Sequence, residues 1–277
     1  MQNTNLFEIT GEDIAQLNDT DLRNLIGMLC EADYRFSGLC VSGIRYGGHQ
    51  DAKDGGIDVM VEHDVAPPDK SFVPRRKSGF QVKKPSMSAS EITSEMKPKG
   101  KLRPKIKNLI MQQGAYIIVS SGSSVTETAY DDRIKAMQDA VASESGHENL
   151  KVDFLDRGRI ATWVRSHPSM ILWVRQRIGR EVQGWQPYGN WSKAPGGVKE
   201  EYILDEKLRL FDGTKTKDEG VSVSEGLSSL RQKLSVPAAS VRLAGLSGVG
   251  KTRLVQALFD DRIGNDALNP SLVFYTD

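Results

Sequence analysis

GFQVKK, residues 79–84, alternates apolar and polar side chains along its length. Successive side chains of a β-strand point to opposite faces of a sheet, so Phe80 and Val82 share one face while Gln81 and Lys83 share the other. The apolar pair suits a core and the polar pair suits a surface cleft. The stretch therefore predicts a strand that packs on one side and exposes reactive groups on the other.

Two further strands are expected before this one, because their residues are those typical of strands. They cover residues 39–46 and 57–62, with the turn formers Asp54-Gly55-Gly56 between them, and a proline-containing loop at 66–74 leads to residues 79–84. In the second strand, alternation predicts that Ile57, Val59 and Val61 are buried and that Asp58 faces the opposite side.

Helical periodicity precedes and follows these strands. The other expected elements are a helix at 19–32 behind the possible caps Asp19 and Thr20, helices at 101–112 and 125–142, strands at 115–120 and 151–155, and a helix over 160–178 that Pro168 interrupts. One helix, three strands and two later helix-to-strand alternations predict an α/β domain with a mixed central sheet flanked by helices. We expect this domain to end near residue 190.

Polar residues on the two neighbouring strands converge on one surface. Asp58 would supply a carboxylate for a hard divalent cation, and Lys83 a positive charge beside an attacking water, which are the groups that phosphodiester cleavage needs. The alternative without a catalytic site is a pair of amphipathic strands with solvated polar faces. Gly55 and Gly56 favour the site, since glycines permit close approach of the backbone to a ligand.

A basic segment surrounds Lys83. Residues 70–107 hold twelve Lys or Arg and only two acids, Glu91 and Glu95, whereas the whole chain has a net charge of +1. Such a segment matches the electrostatic requirement of a phosphate backbone, although a solvated loop would have the same composition.

No stretch of about 18 apolar residues and no signal-peptide pattern occurs, which predicts a cytoplasmic protein without a membrane partner. Cys30 and Cys40 are too few for a disulfide framework and lack CxxC spacing, so we expect two buried thiols. The four dispersed histidines predict surface or capping roles, and SSGSS at 120–124 lacks the pattern of a hydrolase nucleophile.

A second unit follows a Pro- and Gly-rich linker at 191–200. Within it, GLSGVGKT at 245–252 matches the P-loop pattern GxxxxGK[ST]. Gly245, Ser247, Gly248 and Gly250 would form a backbone cradle for phosphate, Lys251 would contact the β and γ phosphates of ATP, and Thr252 would bind Mg²⁺. We expect a strand at 240–244 before this loop and a helix after it.

The remaining expectations for the second unit are a strand at 202–211, a capped helix at 222–234 and a strand within SLVFYTD, 271–277. A P-loop needs an acid from a further strand for hydrolysis. Only 25 residues follow Thr252, and Asp277 is too close to serve as that acid. We therefore expect the NTPase to be incomplete here and the chain to be part of a longer protein.

The first domain resembles the PD-(D/E)xK restriction-endonuclease-like superfamily, in the D…QxK variant of Mrr-like nucleases, through Asp58, Gln81 and Lys83. The resemblance implies Mg²⁺ or Mn²⁺ bound by Asp58, the Val82 carbonyl and a glutamate of the first helix, which Glu31 matches. Lys83 would assist the nucleophile or the phosphorane charge. Gln81 departs from the commoner Asp or Glu, and this leaves open whether one or two metals bind.

The order of domains resembles the front of a bacterial antiviral STAND NTPase: a nuclease at 1–190 with a Trp-rich connector, the linker, and the beginning of a P-loop NTPase at 201–277. The resemblance implies ATP-linked homo-oligomerisation after a C-terminal sensor outside this sequence recognises a phage protein, and cutting of double-stranded DNA. Tethering several nucleases on one duplex raises their effective concentration.

Two other functions fit the same sequence. The first domain would also suit a non-catalytic DNA-binding module on a regulatory ATPase, and the P-loop would suit a kinase, although a kinase needs an acceptor site downstream. All four tryptophans fall within residues 163–191. Base stacking is one interpretation of that cluster, and packing between a terminal helix and its neighbour is the interpretation we favour.

Overall fold

The computed structural model describes residues 7–47, 55–65, 71–188, 207–213 and 219–276. These residues form two compact units. The sheet unit contains the described residues up to 188 together with 271–276, and the glycine-loop unit contains those from 207 to 270. The expected linker at 191–200 lies outside the described residues.

A five-stranded mixed sheet forms the centre of the sheet unit, with its strands in sequence order. The strands are β1 Ile44–Arg45, β2 Val59–Glu62, β3 Lys77–Lys83, β4 Ala115–Ser120 and β5 Lys151–Leu155. The first three run antiparallel to their neighbours, and β4 and β5 continue the sheet parallel to β3. Parallel neighbours need crossover connections, and the helices between these strands supply them.

Within the described part of the sheet unit, seven helices cover the two faces of this sheet. They are α1 Gly11–Gln16, α2 Asp19–Phe36, α3 Ala89–Met96, α4 Pro104–Met111, α5 Glu127–Val141, α6 Arg157–Arg165 and α7 Pro168–Arg177, with short 3₁₀ turns at Pro98–Gly100 and His147–Asn149. Buried residues of α2, α6 and α7 pack on the face with Phe80 and Val82. Buried residues of α3, α4 and α5 pack on the face with Tyr116 and Ile118. The prediction of a mixed α/β sheet flanked by helices is confirmed.

Local chemistry explains what the sequence predicted and what it missed. The helices of α2, α4, α5, α6 and α7 were expected, and Asn18 caps α2 rather than Asp19 or Thr20. The helices α1 and α3 were not predicted. Each begins with a capping box, Thr10 with Asp13 and Ser88 with Glu91, in which side chains satisfy backbone N–H groups that lack helical partners. Those two short sequence signals would have revealed both helices.

Two predicted strands are shorter than expected and one is absent. Of residues 39–46 only Ile44–Arg45 form a strand, because the chain turns at Gly43, where an added Cβ would lie 1.9 Å from the Glu62 carbonyl oxygen. Of the strand predicted at 202–211 the structure describes residues 207–211, and only Arg209–Leu210 form a strand. Residues 240–244 form no strand. A strand requires a neighbour for its hydrogen bonds, and within the described part of the glycine-loop unit the strand pairing is that of β7 Arg209–Leu210 with β8 Val221–Ser222.

The glycine-loop unit is organised by two helices, α8 Val223–Leu234 and α9 Lys251–Ala257, as predicted. Arg231 of α8 is buried and its guanidinium donates hydrogen bonds to backbone carbonyls at the end of α9 and in the loop that follows, those of Ala257, Leu258, Asp260, Ile263 and Asn265. This residue fixes the carboxyl end of α9 by satisfying carbonyls that helices leave without partners.

The segment after the 3₁₀ turn Pro270–Leu272 returns to the sheet unit. Its strand β9, Phe274–Thr276, pairs antiparallel with β6, Trp185–Pro187. The strand predicted within SLVFYTD is present, and its partner lies in the sheet unit. Across the described residues, no helix combines the length and apolarity that spanning a bilayer requires.

Candidate functional site

A bulge at the start of β2 sets the position of Asp58. Val59 pairs with Phe80 of β3, and the Asp58 N–H donates to the carbonyl oxygen of the same Phe80 at 2.8 Å. Two successive residues thus face one residue of the neighbouring strand, as in a β-bulge, which re-aims side chains. Ile57, Val59 and Val61 are all buried, but Ile57 lies in the core of the opposite face. Simple alternation therefore fails at this point.

Asp58 contacts β3 directly. Its Oδ2 accepts hydrogen bonds from Gln81 Nε2 at 2.9 Å and from the Val82 N–H at 2.7 Å. Because the carboxylate accepts from the amide nitrogen, the orientation of the Gln81 side chain is fixed. Gln81 is only 5% exposed, and its Oε1 is a buried acceptor that has no hydrogen-bond partner among the residues the structure describes. Such an orphaned oxygen is rare in proteins and calls for a water or an ion.

The two glycines before Asp58 lie close to other side chains of the site, and Gly56 is a close neighbour of Gln81 Oε1. Gly55 and Gly56 both have positive φ, 65° and 83°, a backbone region that favours glycine. A Cβ on Gly56 would lie 2.4 Å from Arg103 Cδ and 2.9 Å from Gln81 Oε1, and one on Gly55 would lie 3.1 Å from Lys105 Cγ. The close approach inferred from sequence is thus made by side chains of the protein itself.

A stripe on α2 faces the same region. Arg23, Gly27 and Glu31 are four residues apart and therefore lie on one side of the helix. Arg23 is 3.8 Å from Asp58 Oδ1, and Gly27 leaves room for the ring of Tyr46, which a Cβ would approach to 2.1 Å. The Tyr46 hydroxyl donates to Glu31 Oε1 at 3.0 Å. Glu31 is thus linked to the Asp58 region through Tyr46.

The environment of Glu31 disfavours its charged form. Burial raises its pKa, while the hydrogen bond from Tyr46 and the charge of Arg35 oppose that shift. The same burial, reinforced by Glu31, raises the pKa of Tyr46 above its usual range, so its hydroxyl keeps its proton. A carboxylate in such a position gains from a cation that neutralises it.

Lys83 points to a different partner from the one expected. Its Nζ lies 3.0 Å from Glu95 Oε2, and Arg103 donates to Glu95 Oε1 at 2.7 Å. Glu95 was seen in the sequence only as one of two acids in a basic segment, because α3 was not predicted. The available sequence signal was that Glu95 is an acid surrounded by basic residues, since such an acid is expected to pair with more than one of them. Burial and the negative charge of Glu95 raise the pKa of Tyr116, which packs beside it.

A cavity of about 350 Å³ opens beside Asp58. Its walls come from the β1–β2 edge of the sheet and from one side of α4. The residues that line it are Arg45, Tyr46, Ile57, Asp58, Met60, Glu62, Lys105, Asn108, Leu109 and Gln112. Arg45 and Glu62 form an ion pair at its rim. The cavity therefore gives solvent and ligands access to the carboxylate.

Oxygen donors around Asp58 suit a hard divalent cation. They are a carboxylate, the unpartnered Gln81 Oε1 and the carbonyl of Val82, whose N–H already points to Asp58; the N–H and C=O of a strand residue face the same side. Glu31 contributes only through Tyr46. Among the residues that the structure describes, no group of three or more His, Cys, Asp or Glu is placed to hold a metal. Any metal here would depend on amide and backbone oxygens.

The glycine loop has simpler surroundings. Gly248 and Gly250 have positive φ, 82° and 85°, and Lys251 Nζ donates to the carbonyl oxygens of Gly245 and Leu246 at 2.9 and 2.7 Å. Lys251 thus closes the loop on itself, in the place where a phosphate would compete for it. Ser247 and Thr252 are exposed, and Asp277 lies outside the described residues.

One histidine follows its sequence prediction only in part. His167 was expected at the surface or as a cap, and it occupies the N-cap position of α7 without making a side-chain capping hydrogen bond. It is only 2% exposed. Its ring nitrogens are 2.8 Å from Asp33 Oδ1 and 3.2 Å from Ser271 Oγ. The set has the composition of a hydrolase triad, yet Ser271 is fully buried. No substrate reaches a nucleophile in that position, so the chain of hydrogen bonds is structural.

The cysteines and tryptophans are also partly corrected. Cys30 is buried as expected, whereas Cys40 is exposed. Trp163 is fully buried and stacks on Phe72 at 5.0 Å between ring centres, and Trp173 is buried in the same core. These two support packing rather than base stacking. Trp191 lies outside the described residues.

Comparisons with known protein families, with curated proteins and with solved structures return no match to this chain. Function must therefore be inferred from the site itself.

Proposed function

We propose that the sheet unit is a Mg²⁺-dependent DNA endonuclease of the PD-(D/E)xK type. The observation that carries the proposal is the buried Gln81 Oε1, which has no hydrogen-bond partner among the described residues. The same side chain donates to Asp58, which lines the cavity. Asp58 Oδ1, Gln81 Oε1 and the Val82 carbonyl would hold the cation, with Glu31 as a further ligand once Tyr46 turns. Bound there, Mg²⁺ or Mn²⁺ would polarise the phosphate and activate a water.

The residues of the chain divide the remaining work. Asp58 is oriented by two hydrogen bonds from β3 and lines the cavity. Lys83 forms an ion pair with Glu95, and its positive charge would stabilise the charge on the phosphorane. Arg103 holds Glu95 in turn.

The proposed substrate is double-stranded DNA. Lys97, Lys99 and Lys101 follow α3 at the surface, and none of them pairs with a carboxylate in the described part of the chain. When lysines neutralise DNA phosphates, the counterions condensed on the DNA are released, and this release favours binding at low salt. They lie on the same segment as Glu95 and Arg103, close to the proposed site.

We infer the regulation from the second unit and from the resemblance to STAND NTPases. ATP with Mg²⁺ would bind at Lys251 and Thr252, homo-oligomers would form on activation, and a sensor beyond this sequence would recognise a phage protein in the bacterial cytoplasm. Two observations support this proposal: the P-loop motif, and the hydrogen bonds that Lys251 donates to carbonyl oxygens of its own loop.

The test is cleavage of supercoiled plasmid in Mg²⁺ or Mn²⁺ by the full chain, beside Asp58→Ala and Lys83→Ala. We expect cutting by the wild type, its loss with EDTA, and a rate about 100-fold or more lower in either variant. DNA binding without cutting in all three proteins would instead support a non-catalytic DNA-binding module.

A further inference from the structure

The cavity beside Asp58 has one wall that the proposed cleavage chemistry does not use. Lys105 and Asn108 of α4 and Gln112, the residue that caps its carboxyl end, all line it. Their spacing of three and four residues places them on one face of the helix. Lys105 is nearest the proposed metal site, since its stem crosses Gly55, and the two amides lie farther along the helix.

These three side chains are available to a ligand. Throughout the described residues, none of them makes a side-chain hydrogen bond or an ion pair, whereas their neighbour Lys107 pairs with Glu144 at 2.7 Å. Arg103, one turn earlier, is likewise occupied by Glu95. The unsatisfied groups on α4 thus coincide with the wall of the cavity.

The remaining lining suits a flat, partly apolar group. Ile57, Met60 and Leu109 form an apolar floor, and Tyr46 adds an aromatic ring held in place by Gly27 and Glu31. The volume of about 350 Å³ falls within the range of small-ligand sites, about 300–1,000 Å³. One nucleotide of a DNA strand has matching chemistry: a phosphate, and a base with an apolar face and a polar edge.

The geometry points to a nucleotide-reading pocket, in which Lys105 contacts a phosphate and Asn108 with Gln112 reads the base next to the cut. This inference rests on the proposed nuclease function and adds a sequence preference to it. A side-chain amide matches the N6 donor and N7 acceptor on the major-groove edge of adenine. The preferred base at that position is therefore adenine.

Sequencing the ends produced from a randomised duplex library tests the pocket. Wild-type ends should be enriched in adenine at one fixed distance from the cut by about fivefold or more, the lower end of what one bidentate contact provides. Asn108→Ala/Gln112→Ala should lose the enrichment. Lys105→Ala should slow cutting of all sequences equally and should retain the adenine enrichment. Gln138→Ala, an exposed glutamine of α5, is the control and should behave as the wild type.

Binding measurements separate this inference from the nuclease proposal. Fluorescence anisotropy with the non-cutting Lys83→Ala protein should show about fivefold weaker binding when 7-deazaadenine replaces adenine, because that base lacks the N7 acceptor. Adding the Asn108 and Gln112 substitutions should abolish the difference.

Each outcome decides one proposal or both. Cutting without a base preference, or a preference that the double variant retains, overturns the pocket and leaves the nuclease standing. Absence of cutting with intact discrimination against 7-deazaadenine overturns the nuclease and leaves a base-reading DNA-binding site. Absence of both overturns both.

Discussion

The Asp58 site and the glycine loop differ in how the protein supports them. Asp58 and Gln81 are bonded to each other and enclosed by groups from α2 and α4. Among the described residues, the Lys251 side chain donates hydrogen bonds only to carbonyl oxygens of its own loop. A Cβ on Gly248 would have no neighbouring atom of that part of the chain within 4 Å. The more specific sequence motif thus lies in the less elaborate surroundings. Specificity of a motif and preorganisation of a site are separate properties, and each can be tested against the other.

Substituting the two lysines should produce the largest difference. Lys83→Ala is expected to lower plasmid cutting about 100-fold or more, because it removes a fixed positive charge at the phosphate. Lys251→Ala should act on the other unit and abolish the rise in melting temperature that we expect MgATP to produce by binding the folded state. Undiminished cutting by Lys83→Ala would contradict the proposed site.

Glu95→Gln tests whether the ion pair around Lys83 is functional. We expect about a tenfold slower cutting rate, the size of a lost hydrogen bond to a charged group. Glu91→Gln, on the exposed side of the same helix, is the matched control. Equal cutting rates for the two variants would assign Glu95 a purely structural role.

Alanine substitution of one glycine in each region compares the surroundings of Asp58 with those of the glycine loop. Gly56 and Gly248 have nearly the same φ, 83° and 82°, so alanine costs about 1–2 kcal/mol of backbone energy at each. At Gly56 the new Cβ would also collide with Arg103 and Gln81 Oε1, and we expect a total near 3 kcal/mol. Differential scanning calorimetry of both variants measures the costs. Equal losses would mean that the Asp58 region is as open as the glycine loop.

Two glutamates should give the smallest effects, with opposite signs. Burial raises the pKa of Glu31, so its charge destabilises the fold as pH rises above 4.5, the ordinary pKa of a glutamate. Glu31→Gln should therefore raise the melting temperature at pH 7 by about 2 °C and slow cutting, and the gain should vanish in acid. A lower melting temperature at pH 7 would contradict this.

Glu225 provides the contrast in the glycine-loop unit. Its hydrogen bonds with Ser222 at the start of α8 lower its pKa, so its charge stabilises the fold above the unfolded pKa, and the contribution disappears as pH falls through the folded one. Glu225→Gln should lower the melting temperature at pH 7 and have no effect in acid. A change in melting temperature that does not depend on pH would show that these hydrogen bonds of the charged Glu225 are not its cause.

Much of the sheet unit was predictable because its signals are local. The 3.6-residue period gave α2 and α5, and the continuous apolar run gave β4. Alternation placed Gln81 and Lys83 on one face of β3, which the structure retains. In the glycine-loop unit the sequence predicted α8 and α9 but gave a strand at 240–244 that does not form, because a strand depends on a neighbour that its own residues do not specify.

The composition of the sites was set by the sequence alone: an acid, an amide and a lysine on adjacent strands, and a glycine loop before a helix. Only the tertiary structure decided which groups meet. The bulge at Asp58, the pairing of Lys83 with Glu95, and the cavity between β2 and α4 join residues from about 10 to 50 positions apart. Such contacts depend on how helices pack across the sheet, and a periodicity read over a few neighbouring residues carries no information about that packing.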